Sequence, residues 1–278
     1  MIRSLALAAA AAALLTGSAS AASPWKAFKI TKQAGPISAS LSGERQGESY
    51  GGHFRNLELV VKNGSKTVYS HPYCNPERCS FGTQHGLKLQ NVWGGSLDEV
   101  IVSNYTGGAH CCFQTLVVLV DGPRAGKTLS VDWGDLGYHG EVHDGTFEFV
   151  SGDDRFAYEF TSYAGSGFPL AVAAINPAGT AFTDVTTTRL DLVRKDAASY
   201  WKPYLSDRGK GPNANDVRGV FAAWCADEYT LGLGATCQTE LASGVKAGYL
   251  NGVGTWPSGP KFASALKKFL RQTGYITS

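Results

Sequence analysis

The chain has 278 residues, with 25 Lys and Arg against 23 Asp and Glu. That near-neutral balance excludes the basic footprint that nucleic acid demands and gives no pull toward an anionic membrane. Thirty-four glycines, six cysteines and one methionine point to short strands, tight turns and an oxidising compartment. A chain this long can build a sizeable core, so disulfides reinforce packing here and do not replace it.

The first element is an address. Arg3, the unbroken Ala/Leu run of residues 5–15 and the small-x-small site Ala19-Ser20-Ala21 form the three-part layout of a secretory signal peptide. The run is shorter than the roughly 20 apolar residues that span a bilayer. The reading is therefore a signal peptide at 1–21, cleavage near Ala21, a periplasmic or secreted product and no membrane span. Two further regions follow: a β-rich domain at 22–187 and a C-terminal helical region at 188–278. The fold class expected is mainly β, with antiparallel, blade-like meander sheets and a C-terminal α-helical segment.

Within 22–187, residues 57–70 read as a hairpin, because two β-prone runs flank Asn63-Gly64, a dipeptide that accepts the positive φ angles of a tight turn. Residues 98–105 and 113–120 read as buried strands, with a turn at 122–128 after the second. Residues 155–163, "RFAYEFTSY", alternate, which would put Phe156, Tyr158 and Phe160 on one face of a strand. Residues 169–175 and 180–186 form another hairpin around Asn176-Pro177-Ala178-Gly179. After Thr188 the period changes to helical. Helices are expected over 189–201, over 215–229 with Asn215 as N-cap, over 235–250 with Gly244 and Gly248 interrupting, and over 259–276. The last has Pro260 in its first turn, a stripe of Phe262, Leu266, Phe269 and Leu270, and Gly274 as its stop. Residues 206–214 read as a linker. A weak repeat relates 94–110 to 143–169, and periods near 50 residues are typical of β-blade arrays.

"LDEVIVSNYTGGAHCC" (97–112) and "FEFVSGDDRFAYEFTSYAGSGFP" (147–169) carry a resemblance to bacterial secreted proteins with FG-GAP-like (VCBS-type) repeats, over roughly residues 87–187. The resemblance implies β-blade architecture, often with calcium held by an Asp-x-Asp-x-Asp-Gly loop. This chain departs from that loop. At 91–99 it offers only Asp98 and Glu99, and at 140–148 it has Glu141 and Asp144, whereas calcium needs six to eight oxygen ligands, several of them carboxylate. The group shares an architecture more than an activity, so no function follows from it.

The six cysteines allow fifteen connectivities. Cys225 and Cys237 lie at the end of one expected helix and the start of the next, where a bridge would staple a helical hairpin. Cys74 and Cys79 bracket an Asn-Pro turn. By elimination Cys111 would bond Cys112, although neighbouring Cα atoms lie closer than ordinary disulfides prefer; Gly107 and Gly108 fit a backbone already in tight turns. The rival pairing joins Cys111 and Cys112 separately to Cys74 and Cys79.

Two ligand readings remain open. In the first, a non-enzymatic exported protein presents loops around 106–113 and 132–154, including His110, Cys111, Cys112, Asp153 and Asp154, to a protein or carbohydrate partner, with no cofactor. Asp153-Asp154 most simply form a hairpin turn. In the second, Asp135, His139 and His143, joined by His110, bind zinc in a metal-dependent hydrolase. His at i and i+4 would share a metal on a helix, but glycines at 134, 137, 140 and 145 argue for a loop.

Overall fold

The computed structural model describes residues 24–47, 53–73, 79–80 (backbone only), 86–105, 108–210, 216–252 and 254–277. The expected signal peptide, the expected Cys74–Cys79 pairing and the expected Asn215 cap fall outside the described residues.

The β region is a succession of three four-stranded antiparallel meanders. The first comprises β1 (Lys26–Ala34), β2 (Ile37–Gln46), β3 (His53–Asn63) and β4 (Lys66–Pro72). A two-residue strand, β5 (Cys79–Ser80), bridges β3 to the second meander. That meander comprises β6 (Leu87–Gln90), β7 (Glu99–Tyr105), β8 (Phe113–Val118) and β9 (Thr128–Asp132). The third is a separate sheet of β10 (His139–His143), β11 (Thr146–Gly152), β12 (Leu170–Ile175) and β13 (Phe182–Asp184). The two stretches of the weak repeat supply β7 and β11, each the second strand of its meander.

The central meander explains why "EVIVSNY" and "FQTLVV" read as near-continuous apolar runs. Val100, Val102 and Val118 face a core shared with Leu41, Leu57, Leu59 and Val61 of the first meander. Ile101 and Val117 face the opposite way, into a core with Trp133, Phe149 and Ile175 that reaches the third sheet. A strand covered on both faces has no solvent side and loses its polar alternation. Each such Val or Ile contributes about 1.5–3 kcal/mol through burial.

Most expected elements are present at shifted bounds. The 57–70 hairpin turns through Gly64-Ser65, since Asn63 still pairs with Lys66, and only Gly64 takes a positive φ (58°). The helices are α1 (Leu190–Asp207), α2 (Arg218–Thr230), α3 (Gly234–Lys246) and α4 (Pro260–Gln272). Helix α1 runs through Pro203 into the expected linker. At the start of α2, Asp216 accepts from the Arg218 N–H at 3.0 Å. Gly244 lies inside α3 because a Cβ there would sit 2.9 Å from the Tyr204 hydroxyl. The Cys225–Cys237 disulfide joins α2 to α3, with Cα atoms 5.1 Å apart. Among the described residues, no helix is long and apolar enough to cross a membrane.

One expected strand is absent. Residues 155–163 are not a strand. The Asp153 carboxylate accepts from the Arg155 N–H at 3.1 Å and starts a 3-10 turn over Asp154–Phe156. Tyr158 then takes a left-handed φ of 59°. The chain doubles back and sends Phe156 and Phe160 into the helical core against Phe262 and Phe269, while Tyr158 stays exposed. A period of two arises here from two buried rings around one surface ring, without a sheet. This segment fastens the helices to the β region.

Candidate functional site

Cys111 and Cys112 are bonded to each other, with Cα atoms 3.7 Å apart. Their sulfurs lie over Gly108, where any Cβ would collide with both. The glycine before the pair is therefore a steric requirement. His110 (φ 62°) and Cys112 (φ 83°) are left-handed, and the Tyr105 hydroxyl donates to the Gly108 carbonyl, closing the turn. At the exit, the Phe113 N–H donates to Gly134 O at 2.6 Å and the Trp133 N–H to Phe113 O at 2.8 Å. The ring is thus pinned to the β9–β10 loop.

The turn delivers His110 onto a shelf of tyrosines. Its ring lies on Tyr163 at 4.1 Å between centroids and 31° between planes. Tyr158 closes the edge at 5.9 Å, and Asp135 Oδ2 lies 3.8 Å from His110 Nδ1. Burial, and after it the charge of Asp135, push the Tyr163 hydroxyl up to about 12, so it stays a donor at physiological pH. Tyr158 is 48 % exposed yet held from both sides. Its N–H donates to Ser166 Oγ at 3.1 Å, and Trp256 Nε1–H donates to its carbonyl at 2.9 Å. Five non-glycine residues among those described have positive φ, and three of them, His110, Cys112 and Tyr158, are in this region. Such strain persists only where surrounding structure enforces it, and it concentrates at functional sites.

The two expected aspartates part company. Asp153 is structural: both its oxygens take the Arg155 guanidinium, and Oδ2 accepts from the Tyr275 hydroxyl at 3.0 Å. Asp154 packs its carboxyl over Gly134, in space a side chain at 134 would fill. Burial raises its pKa, a hydrogen bond from the Asp135 backbone opposes the rise, and the charges of Asp132 and Asp153 add to it. Its Oδ1 is shielded from water without a hydrogen-bond partner. Gly134 and Asp154 also line a cleft of about 770 Å³ between the third sheet and the ends of α2 and α4.

The expected convergence of Asp135, His139 and His143 does not occur. Residues 139–143 form strand β10, where four steps at about 3.3 Å each set the two histidines roughly 13 Å apart. His139 contacts Glu141 at 3.1 Å, His143 contacts Asp144 at 3.5 Å, and Asp135 sits with His110. Among the described residues, no three His, Cys, Asp or Glu side chains are placed to hold one metal ion. Two of the acids at the calcium-loop positions are engaged elsewhere. Glu99 accepts from the Val92 and Trp93 N–H groups at 2.9 and 3.2 Å. Glu141 is bound by Arg189 at 3.0 Å, and the same guanidinium binds Glu148.

No family model matches this chain, and no solved structure matches it significantly. It is similar to a probable thylakoid lumen protein of Synechocystis sp., 39% identical over 84 residues, which are 27% of this chain and 24% of that protein. It is also similar to an uncharacterized protein of Sinorhizobium fredii, 28% identical over 102 residues, 35% of this chain and 16% of that protein. The chain thus spans about a quarter or less of the length of these curated relatives.

Sequence reasoning reached His110, Cys111 and Cys112 but missed Tyr158 and Tyr163. Tyr158 was hidden by the false strand. For Tyr163 the available signal was the glycine-rich "YAGSG" that follows the aromatic run.

Proposed function

We propose that this is an exported, non-enzymatic binding protein that holds a carbohydrate on the His110–Tyr158–Tyr163 shelf beside the Cys111–Cys112 ring. The observation that carries the reading is the meeting of separate loops, 108–113, 135 and 158–163, in one partly exposed aromatic surface held by left-handed backbone and a covalent turn. Aromatic faces pack against the apolar faces of sugar rings, and a few fixed polar groups then set orientation. Here those groups are the His110–Asp135 pair and the Tyr163 hydroxyl. Both sulfurs beside His110 are in a bond, which leaves neither as a nucleophile.

Export to the periplasm or beyond is supported by the secretory layout of residues 1–21 and by two disulfides, which persist in oxidising compartments. The similarity to a probable thylakoid lumen protein agrees with a location across a membrane from the cytoplasm. The succession of four-stranded meanders supports kinship with degenerate FG-GAP-like blades. The test is an oligosaccharide array probed with the purified protein and with Tyr163→Ala. The wild type should bind a restricted set of sugars, and the variant should lose them while keeping its circular dichroism. No sugar bound, or equal binding by both, would refute the assignment.

A further inference from the structure

We propose that the Asp196–Asp227 carboxyl pair is a pH-sensitive latch, which holds residues 163–170, and with them the Tyr163 face of the shelf, while the pair keeps one proton. The effect on sugar binding rests on the shelf reading; the latch itself does not.

The pair joins the first two helices, with Asp196 on α1 and Asp227 on α2. The two carboxyls meet, and both face the Leu170 N–H at the start of β12. On each of them Oδ2 is shielded from water without a hydrogen-bond partner, a condition that buried polar atoms rarely keep. Two ionised carboxylates have no donor between them; one shared proton supplies it. Among the described residues, no Lys, Arg or His lies within ion-pair distance of either group. The other ionisable groups facing the pair are Tyr200 on α1, Glu228 on α2 and Tyr275 after α4. Burial keeps both phenols protonated well above their ordinary range, and Glu228 adds negative charge. When the proton leaves to water, the pair passes from one negative charge to two in a nearly dry site.

Residues 163–170 run from the shelf to this pair. Tyr200 donates its hydroxyl to Phe168 O at 2.8 Å and accepts from the Phe168 N–H at 2.9 Å. The Phe168 ring packs on Tyr163 at 5.3 Å between centroids. The segment is pressed onto α2: a Cβ on Gly167 would lie 2.6 Å from Ala223 Cβ, and one on Gly219 would lie 2.1 Å from Gly165 O. The two helices grip the segment only while they lie together, so repulsion between like charges at their contact acts on the grip. Burial, and after it the charge of Asp196, hold Asp227 above the ordinary carboxylate range. The closed latch therefore keeps a proton that the released one gives up. Acid closes it, and each pH unit between about 5 and 9 favours release by up to about tenfold.

Hydrogen exchange of the full chain at pH 6 and pH 8 tests this in wild type, Asp227→Asn and Asp196→Asn. Either asparagine donates to the remaining carboxylate and so mimics a shared proton that cannot leave. Comparing chains at one pH cancels the intrinsic exchange rate. From pH 6 to pH 8, the ratio of wild-type to variant rates over 163–170 should rise about tenfold or more, at a protection well below that of β7 and β8. Affinity for the oligosaccharide that binds best on the array should fall about tenfold from pH 6 to pH 9 in the wild type and hold in the variants. A constant exchange ratio, or 163–170 opening only together with β7 and β8, would overturn the latch. Equal pH dependence of sugar affinity in all three chains would overturn its control of the shelf. If no sugar binds at all, the shelf reading fails while the exchange ratio still decides the latch.

Discussion

Arg189 holds the third meander to the first helix, and replacing it with methionine removes one charge from a nearly dry site. The residue is 5 % exposed, and Glu148 opposite it is 3 % exposed. Its guanidinium also reaches Glu141 at 3.0 Å and Asp191 at 3.6 Å. The exposed Asp191 contact contributes almost nothing. The Glu141 contact is partly solvated, and its main mark is a carboxyl held below the ordinary range by the Arg189 hydrogen bond. The large effect is on Glu148, which Arg189→Met leaves buried with an uncompensated charge. Breaking a buried pair this way costs about 3–5 kcal/mol. At about 2–4 °C per kcal/mol for a chain of this size, the melting temperature should fall by roughly 6–20 °C. Urea unfolding and calorimetry measure both quantities. Glu148→Gln added to Arg189→Met removes the stranded charge and should restore at least half of the loss. A single-variant cost below about 1 kcal/mol, or a double variant no better than the single, would refute the reasoning.

Gly108→Ala should block closure of the Cys111–Cys112 ring, because its Cβ would collide with both sulfurs; thiol titration of the unfolded variant should find free sulfhydryls that the wild type lacks. Cys225→Ala with Cys237→Ala opens a bridge of sequence separation 12 and should cost about 3 kcal/mol in urea unfolding, with helix content retained under native conditions. Asp227, 1 % exposed, is raised to about 9 by burial and then by the neighbouring Asp196. The folded state therefore keeps a proton that the unfolded chain releases above its ordinary carboxylate pKa. The stability this provides is complete below pH 4 and is lost as pH rises toward 9, at about 1.4 kcal/mol per pH unit while only the unfolded state ionises. Asp227→Asn should flatten that slope between pH 5 and 8, and an unchanged slope would contradict the assignment.

What could be read from residues alone followed from how local each signal was. The α4 stripe of Phe262, Leu266 and Leu270 is buried as its spacing implies, and Asn63-Gly64 marked its hairpin to within one residue. Both are set by neighbours in the chain. The Cys111–Cys112 bond was reachable by elimination, since one even set of thiols had few compatible turns. The shelf was not. Tyr163 meets His110 across more than fifty residues of chain, and nothing local encodes that contact. "RFAYEFTSY" misled because Phe156 and Phe160 answer to a helical core that arrives a hundred residues later. His139 and His143 share a spacing that serves a metal only on a helix. Five residues paired to β11 stretched that spacing out along a strand.

The most direct test is sugar affinity in Cys111→Ser with Cys112→Ser, measured with the oligosaccharide that binds best on the array. The account predicts an unchanged far-ultraviolet spectrum and an affinity lowered about tenfold or more, because releasing the ring frees His110 from Tyr163 and makes binding pay for reordering the shelf. Wild-type affinity in a variant without the bond would contradict it.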